Sequence, residues 1–230
     1  MKHSIFISLL CFLQLQAMAQ PVSGTTGLLN IPSAEMQQEG TFFMGANYLP
    51  DAMTPEWFDY NTGNYYFNIT FLPFFEFTYR LTLMKMNTGN YNQDRSFGMR
   101  LRLLRERENL PAVVIGGNDL YTTLGGSTQY FNALYAVASK NFSLGNSSLG
   151  VTAGYGYKGF GKQQHGNLEG PFGGVSFAPG FFTPLHFIGE YDSNAVNAGA
   201  SVLLWRHLFL FGLLHNMKTP AGGFALFFYL

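Results

Sequence analysis

The feature that most constrains the fold of this chain is a two-residue alternation in the stretch 74–86, FFEFTYRLTLMKM. Large apolar side chains occupy every second position, namely Phe75, Phe77, Tyr79, Leu81 and Leu83, and polar side chains occupy the positions between them, namely Glu76, Thr78, Arg80 and Thr82. This period is typical of a β-strand with one apolar and one polar face. The alternation extends over about nine residues, which suits the roughly 9–11 residues of a strand tilted across a bilayer and exceeds the roughly 5–6 residues of an ordinary strand.

The composition favours a chain whose strands face lipid rather than water. Charged residues make up 11% of the sequence and aromatic residues 17%, whereas about 25% of a typical soluble domain is charged. No uninterrupted apolar run reaches the roughly 18 residues that a transmembrane helix needs. Since only helices and closed barrels satisfy their backbone hydrogen bonds inside lipid, a membrane location for this chain requires a β-barrel.

A signal peptide is expected at residues 1–19, where a short polar start precedes the apolar stretch Ile5–Leu15 and the A-x-A cleavage site Ala17–Ala19. The only cysteine, Cys11, lies in this leader, so we expect no disulfide and no thiol chemistry in the mature chain. The net charge is zero, which gives the chain no general attraction for nucleic acid.

The mature chain is expected to have two parts. Residues 20–40 are interrupted by glycine and proline and do not alternate, and within them Ser33–Gly40 is predicted to form one or two helical turns with Ser33 as the N-cap. We expect residues 20–40 to lie at the periplasmic mouth, or in the lumen, of an outer-membrane β-barrel formed by residues 41–230.

An antiparallel transmembrane barrel of about 12 strands is predicted from the segments that follow. The expected strands are 41–49, 64–72, 74–86, 95–105, 111–119, 129–140, 148–157, 171–179, 184–192, 195–204, 206–215 and 221–230. Three of them, at 111–119, 129–140 and 206–215, alternate poorly. The last strand resembles the C-terminal signal by which outer-membrane barrels are passed to the barrel assembly machinery.

The connections between these strands sort by length, as expected when short turns face the periplasm and longer loops face outward. The long connections assigned to the outside are Pro50–Gly63, Asn87–Asp94, Leu120–Thr128 and Lys158–Gly170. The periplasmic connections are Pro73, Glu106–Leu110, Asn141–Ser147, Gly180–Thr183 and Trp205. The tight connection near Ser193 is an exception on the outer side.

Polar residues of the inward parity predict a buried network in the lumen. Its expected members are Glu76, Arg80, Arg100, Arg102, His186, Glu190 and Asp192. Arg100 and Arg102 are expected to pair with acidic members, because buried charges in folded proteins are paired. The alternative is that the arginine group binds an anionic glycan or a lipid phosphate, whose oxygens arginine binds in a bidentate manner. That group consists of Arg95, Arg100, Arg102, Arg105 and Arg107.

No catalytic, cofactor-binding or metal site is predicted. His186 and Glu190 are four residues apart on one strand face, which separates them by roughly 13 Å, too far for a direct acid–base pair. The sequence has no G-x-S-x-G nucleophile motif and no histidines at metal-ligand spacing. The glycine-rich stretch 154–161 lacks the following helix of a phosphate-binding loop.

An N-terminal motif connects the chain with a known family. The run Gly27-Leu28-Leu29-Asn30-Ile31-Pro32-Ser33-Ala34, with Gly40 following, resembles the opening G-L-x-x-x-P-[ST]-A…G motif of the YjbH-type exopolysaccharide (capsule) proteins of Gram-negative envelopes. The resemblance continues in order through Phe97–Glu106, Leu110–Gly116, Asn118–Leu120, Tyr135–Lys140, Pro171–Val175 and Glu190–Asp192. Family members are often much longer, so the chain looks like a single-barrel version.

The resemblance implies a protein of the cell outer membrane that takes part in production or export of extracellular polysaccharide. It implies no established catalytic activity, and we expect a non-catalytic accessory rather than an enzyme. Its expected partners are outer-membrane lipid, the polysaccharide, other secretion-system proteins and the barrel assembly machinery. Two alternatives stay open, a lipid-modifying outer-membrane enzyme and a general porin-like channel. A soluble periplasmic β-sandwich is a further alternative for the fold.

Overall fold

The fold is a closed antiparallel β-barrel of twelve strands, seen in a computed structural model that describes residues 22–54, 60–85, 89, 91–122, 131–158 and 168–230. Each strand pairs with its neighbours in sequence, and β1 closes the barrel by pairing with β12. The strands are β1 (Thr41–Leu49), β2 (Thr62–Leu72), β3 (Phe75–Lys85), β4 (Tyr91–Leu104), β5 (Ala112–Thr122), β6 (Ala133–Leu144), β7 (Ser147–Lys158), β8 (Gly170–Ala178), β9 (Leu185–Tyr191), β10 (Val196–Leu204), β11 (Leu208–His215) and β12 (Thr219–Tyr229). The predicted fold class is confirmed. The expected signal peptide lies outside the described residues.

Each predicted strand has a counterpart in the structure. Two of the connections between strands are shorter in the structure than the sequence predicts. The outer connection at 87–94 is shorter because Tyr91–Asp94 continues β4 and pairs with Thr82–Lys85. The connection at 141–147 shrinks to a turn at Gly145–Asn146, since β6 continues to Leu144 and pairs there with Ser147. The backbone hydrogen bonds of the neighbouring strand extend the sheet in both places.

The two ends of the barrel differ in their connections. We call the end that holds Thr41 and Tyr229 the near end and the opposite one the far end. The near end has tight turns such as Pro73–Phe74 and Gly145–Asn146. The far end carries the longer connections, including 50–61 and 159–169, together with short turns near Ser193 and Asn216.

Strand β3 shows how the alternation places residues. Its residues Glu76, Thr78, Arg80 and Thr82 face the lumen and are almost fully buried. The apolar residues between them face outward and are only partly buried. None of the helical segments in the described part of the chain is long and apolar enough to cross a membrane.

The three strands that alternate poorly in sequence have apolar side chains on their inward face as well. In β11, Phe209, Phe211 and Leu213 point inward and are buried, while Leu210 and Leu214 point outward and are exposed. β5 and β6 line the lumen with buried Val114 and Val137 in the same way. When both faces of a strand are apolar the hydrophobic period disappears, although the pleat remains.

Candidate functional site: a lumen filled by the N-terminal segment

Residues 22–40, called the plug from here on, occupy the barrel lumen. Leu29 and Ile31 have no solvent-exposed surface. They belong to one buried cluster with inward residues of the wall, among which Phe43 and Phe227 stack with their ring centroids 4.9 Å apart. A barrel of twelve strands has a wider interior than the eight-stranded barrels that side chains alone can fill. The plug supplies the missing volume.

The predicted helical turns at 33–40 are wrong, because this stretch has no helical hydrogen bonding. Its backbone groups bond to the barrel wall instead. The backbone N–H of Ala34 donates to Ser139 Oγ at 2.8 Å. The guanidinium of Arg100 donates to the carbonyl oxygens of Ser33 and Glu35. Buried backbone groups need partners, and the wall provides them where a helix would have supplied its own.

The first half of the plug is a compact reversal of the chain. Gly27 and Pro32 form an isolated antiparallel bridge, and Val22 N–H donates to Leu29 O at 2.8 Å. The reversal leaves the backbone N–H groups of Leu29 and Asn30 directed at the wall. These two donors are therefore available to an acceptor on a strand.

That acceptor is Glu190 on β9. Its carboxylate oxygens accept hydrogen bonds from Leu29 N–H at 3.0 Å and Asn30 N–H at 2.7 Å. The side chain of Asn30 donates to Asp192 Oδ2 at 2.6 Å, and Asn197 donates to both carboxylates. We call the plug residues Leu29 and Asn30, with Glu190, Asp192 and Asn197, the latch. Hydrogen bonds to charged acceptors are about twice as strong as neutral ones.

A second anchor lies across the lumen on β3 and β4. Glu76 accepts hydrogen bonds from the backbone N–H of Thr26 at 3.0 Å, from its hydroxyl at 2.7 Å and from Asn68 at 2.8 Å. Arg100 Nη1 forms an ion pair with Glu76 at 3.2 Å. Because Arg100 also holds Ser33 and Glu35, this pair ties both halves of the plug to one place on the wall.

The third charged group of the network, Arg80, lies two inward positions from Glu76 on β3, toward the far end. It forms an ion pair with Asp119, and its guanidinium carbon lies 4.2 Å from the ring centroid of Phe131. Asp119 reaches the lumen because β5 carries a bulge, in which the register shifts between Phe97 and Met99 of β4. The bulge, with Asp119 at φ 46°, turns two consecutive side chains inward, those of Asn118 and Asp119. A bulge of this kind re-aims side chains at the cost of regular pairing.

Two residues predicted for the network lie apart from it. Arg102 does not join a described ion pair, and its guanidinium donates to the carbonyl oxygen of Pro73 at the near end. The register explains this, because Arg102 lies one inward position nearer the turn than Arg100. His186 Nδ1 lies 3.4 Å from Ser176 Oγ, and no described hydrogen bond or ion pair links it to a carboxylate. Among the described residues, His186 is therefore grouped with a serine but not with a carboxylate.

At the near end of the plug, Asn141 of the rim connects Glu35 with Glu106. Asn141 donates from its side chain to Glu35 Oε1 at 2.7 Å and to Glu106 Oε2 at 2.8 Å. Removal from water raises the pKa of Glu35, and the nearby Glu106 carboxylate raises it further, while the bond from Asn141 and the charge of Arg100 act in the opposite direction.

The charged anchors are among the residues predicted from the sequence, whereas the amide side chains that donate hydrogen bonds to them are not. Asn68 and Asn197 occupy inward positions, so the alternation of β2 and β10 could have identified them. Asn30 and Asp119 gave no periodic signal, because one lies in an irregular segment and the other in a bulge. Within the described residues, no three histidine, cysteine or acidic side chains are grouped to hold a metal ion. Chemically, this lumen is built to bind a peptide segment of its own chain.

The latch joins two stretches that are about 160 residues apart in sequence, and both belong to the motifs quoted above. The profile of a family described as "Exopolysaccharide biosynthesis protein YbjH" matches residues 20–202. The chain belongs to the YjbH family. In this chain, the stretch that resembles the family's opening motif lies within the plug, and Glu190 and Asp192 bind it from the wall.

A relative in Escherichia coli (strain K12), "Uncharacterized lipoprotein YjbH", is 31% identical to this chain over 160 residues. The match covers 64% of this chain and 20% of the relative, so the chain spans about a fifth of that protein's length. Among solved structures, the crystal structure of the Acinetobacter baumannii outer membrane protein Omp33 aligns with a TM-score of 0.45 at 10% identity. It covers 84% of this chain and 98% of that one.

Proposed function

We propose that this YjbH-family chain is an outer-membrane β-barrel and a non-catalytic accessory in the production or export of extracellular polysaccharide. The link to polysaccharide comes from the family. The proposal of an accessory rather than a channel rests on the lumen. The plug fills the lumen, and two sets of buried charges hold the plug there. A barrel closed by its own chain suits anchoring or docking in an export apparatus better than free passage of a solute.

The outer wall supports the membrane location. Barrels of the outer membrane carry an apolar band between two girdles of aromatic residues. Most exposed tyrosines lie toward the far end, namely Tyr48, Tyr65, Tyr91, Tyr121, Tyr155, Tyr157 and Tyr191, while Tyr229 is exposed at the near end. Phenylalanine and tryptophan are exposed toward the near end, namely Phe71, Phe74, Phe142, Phe181, Phe182 and Trp205. The tyrosine hydroxyls suit a polar headgroup layer, and the near end with its tight turns suits the periplasmic side.

The membrane location is tested by electrophoresis of the outer-membrane fraction with and without boiling. We expect the protein in that fraction, with a mobility that changes only after heating, because closed barrels resist SDS until heated. Recovery in the soluble periplasmic extract without a heat-dependent shift would refute the membrane barrel.

The role in polysaccharide is tested by deleting the gene and restoring it. We expect cell-surface and secreted polysaccharide to fall on deletion and to return with the native chain. The mass spectra of lipid A and phospholipids should stay unchanged, in keeping with an accessory role. An acyl chain gained or lost on deletion would favour the lipid-modifying enzyme instead.

A further inference from the structure

The outer wall of the barrel carries a groove that the proposed function does not use. It is an open depression that spans β4 to β7 and has a volume of about 490 Å³, a size within the range of ligand pockets. Its lining is apolar and includes Met99, Leu101, Ile115, Leu120, Leu134 and Ala136. Tyr155 and Tyr157, which also line it, belong to the exposed tyrosines of the far end.

The groove exists because the wall is thin at this place. Gly117 has no side chain, and a Cβ there would lie 2.4 Å from Leu120 Cδ2, so the bulge of β5 leaves no room for one. On the next strand the outward position is Ala136, a small and exposed side chain opposite Ile115. Larger side chains on β4 and β7 border this depression on both sides.

A cation lies on the same wall above the groove. Arg95 is an exposed outward residue of β4, paired with Leu81 of β3. The next outward residue toward the groove is Phe97, which is paired with Tyr121. None of the ion pairs of the described residues includes Arg95. The sequences of the two adjoining far-end connections, 86–90 and 123–130, contain no aspartate or glutamate.

An outward charge on a membrane strand is unfavourable unless it reaches the interface or an anionic group. We propose that the groove binds one acyl chain of an anionic phospholipid-type molecule of the far leaflet, with Arg95 contacting its phosphate. The apolar lining accounts for the acyl chain, and the guanidinium above it, which forms no ion pair among the described residues, accounts for the headgroup. This inference rests on the membrane location given under the proposed function.

Native mass spectrometry of the purified full chain in zwitterionic detergent tests the site. The added probe is an equimolar mixture of phosphatidylglycerol and phosphatidylcholine with identical acyl chains. We expect the native chain to retain phosphatidylglycerol preferentially, and Arg95→Gln to lower that retention about five-fold, as the loss of one cation near a lipid surface implies. Lys218→Gln is the matched control, because Lys218 is an exposed cation of the far end outside the groove.

The acyl-chain half of the site is tested by filling the groove. Ala136→Phe should lower retention of both lipids, whereas Ala200→Phe, at an outward position of β10, should leave it unchanged. The heat-dependent gel shift identifies the folded variants. If Ala136→Phe fails to fold, the result for Arg95→Gln decides the test by itself.

Equal retention by folded Arg95→Gln and native chains would overturn the site, as would an equal loss in Lys218→Gln. Both results would leave the proposed function intact. Absence of the native chain from the outer membrane, in contrast, would refute the proposed function itself.

Discussion

Among single residues, Glu76 and Arg100 form the most deeply buried of the described ion pairs. Both side chains are fully buried, and removing one partner of a buried pair costs about 3–5 kcal/mol because the other charge is left uncompensated. We expect Arg100→Met to lower the free energy of unfolding by about that amount. Adding Glu76→Gln should restore part of the loss, since the amide keeps hydrogen bonds to the plug without the charge.

Urea unfolding of the barrel in detergent, followed by the gel shift, measures this pair of variants. Arg102→Met is the matched control on the same strand, because its hydrogen bond to Pro73 lies at the rim, and we expect a change of about 1 kcal/mol or less. If Glu76→Gln destabilised the Arg100→Met barrel further, the buried charge of Glu76 would not be the source of the cost.

We expect Glu35 to make the stability of the plugged barrel depend on pH. Its pKa in the folded chain is raised above the ordinary value of 4.5, chiefly by removal from water. The folded state therefore binds its proton more tightly than the unfolded state does. The contribution of Glu35 to stability is complete below the ordinary pKa and is lost as pH rises through the raised one.

We expect Glu35→Gln to flatten the decline in unfolding free energy across this pH window, measured by urea titrations from acid to neutral pH. Glu39→Gln is the control, because Glu39 is an exposed carboxylate at the end of the plug. A decline of the same steepness in Glu35→Gln would assign the pH dependence to another group.

At the scale of elements, the latch decides whether the plug stays in the lumen. Asp192 holds Asn30 and also accepts backbone hydrogen bonds from Asn194 and Ala195 in its own turn. Asn30→Ala removes only the plug side of this contact. We expect it to increase amide hydrogen exchange in peptides covering 22–40 by roughly five- to ten-fold, the effect of losing about 1–1.5 kcal/mol.

Hydrogen exchange with mass spectrometry separates this loosening from general destabilisation. Peptides from β3 and β7 should exchange as in the native barrel, since the wall keeps its backbone pairing. Thr219→Ala, at the far-end start of β12 and outside the latch, serves as the control. Faster exchange throughout the barrel in Asn30→Ala would contradict a local latch.

The elements also show what the sequence could and could not reveal. β3 was predictable because its inward and outward surroundings differ, which makes the period of the pleat visible. For β11 the sequence predicts a strand but not which residues face inward, because inward Phe209 packs against the filled lumen and both faces of the strand are apolar. The sequence wrongly predicts a helix in part of the plug. The partners of the plug backbone, Ser139 and Arg100, lie on strands far away in sequence, and no local pattern shows that these strands will face the plug.

For the barrel taken as a unit, we expect the plug to determine whether the lumen conducts ions. The lumen wall contains more buried acidic than basic side chains among the described residues. The acidic ones are Glu76, Asp94, Asp119, Glu190 and Asp192, and the basic ones are Arg80 and Arg100. With the plug in place most of these charges bond to it or to each other, and no water-filled path is needed to satisfy them.

We therefore expect the native chain to give no steady conductance in planar bilayers, and deletion of residues 22–36 to open a pore. Removal of the plug would expose the acidic excess of the wall, and rings of carboxylates favour cations. The reversal potential in a salt gradient should accordingly show cation preference, and it should weaken when Glu190→Gln is added. The gel shift of the deletion variant confirms that the barrel still closes. Steady conductance of equal size by the native chain would mean that the plug does not close the lumen, and the general channel would then replace the accessory role.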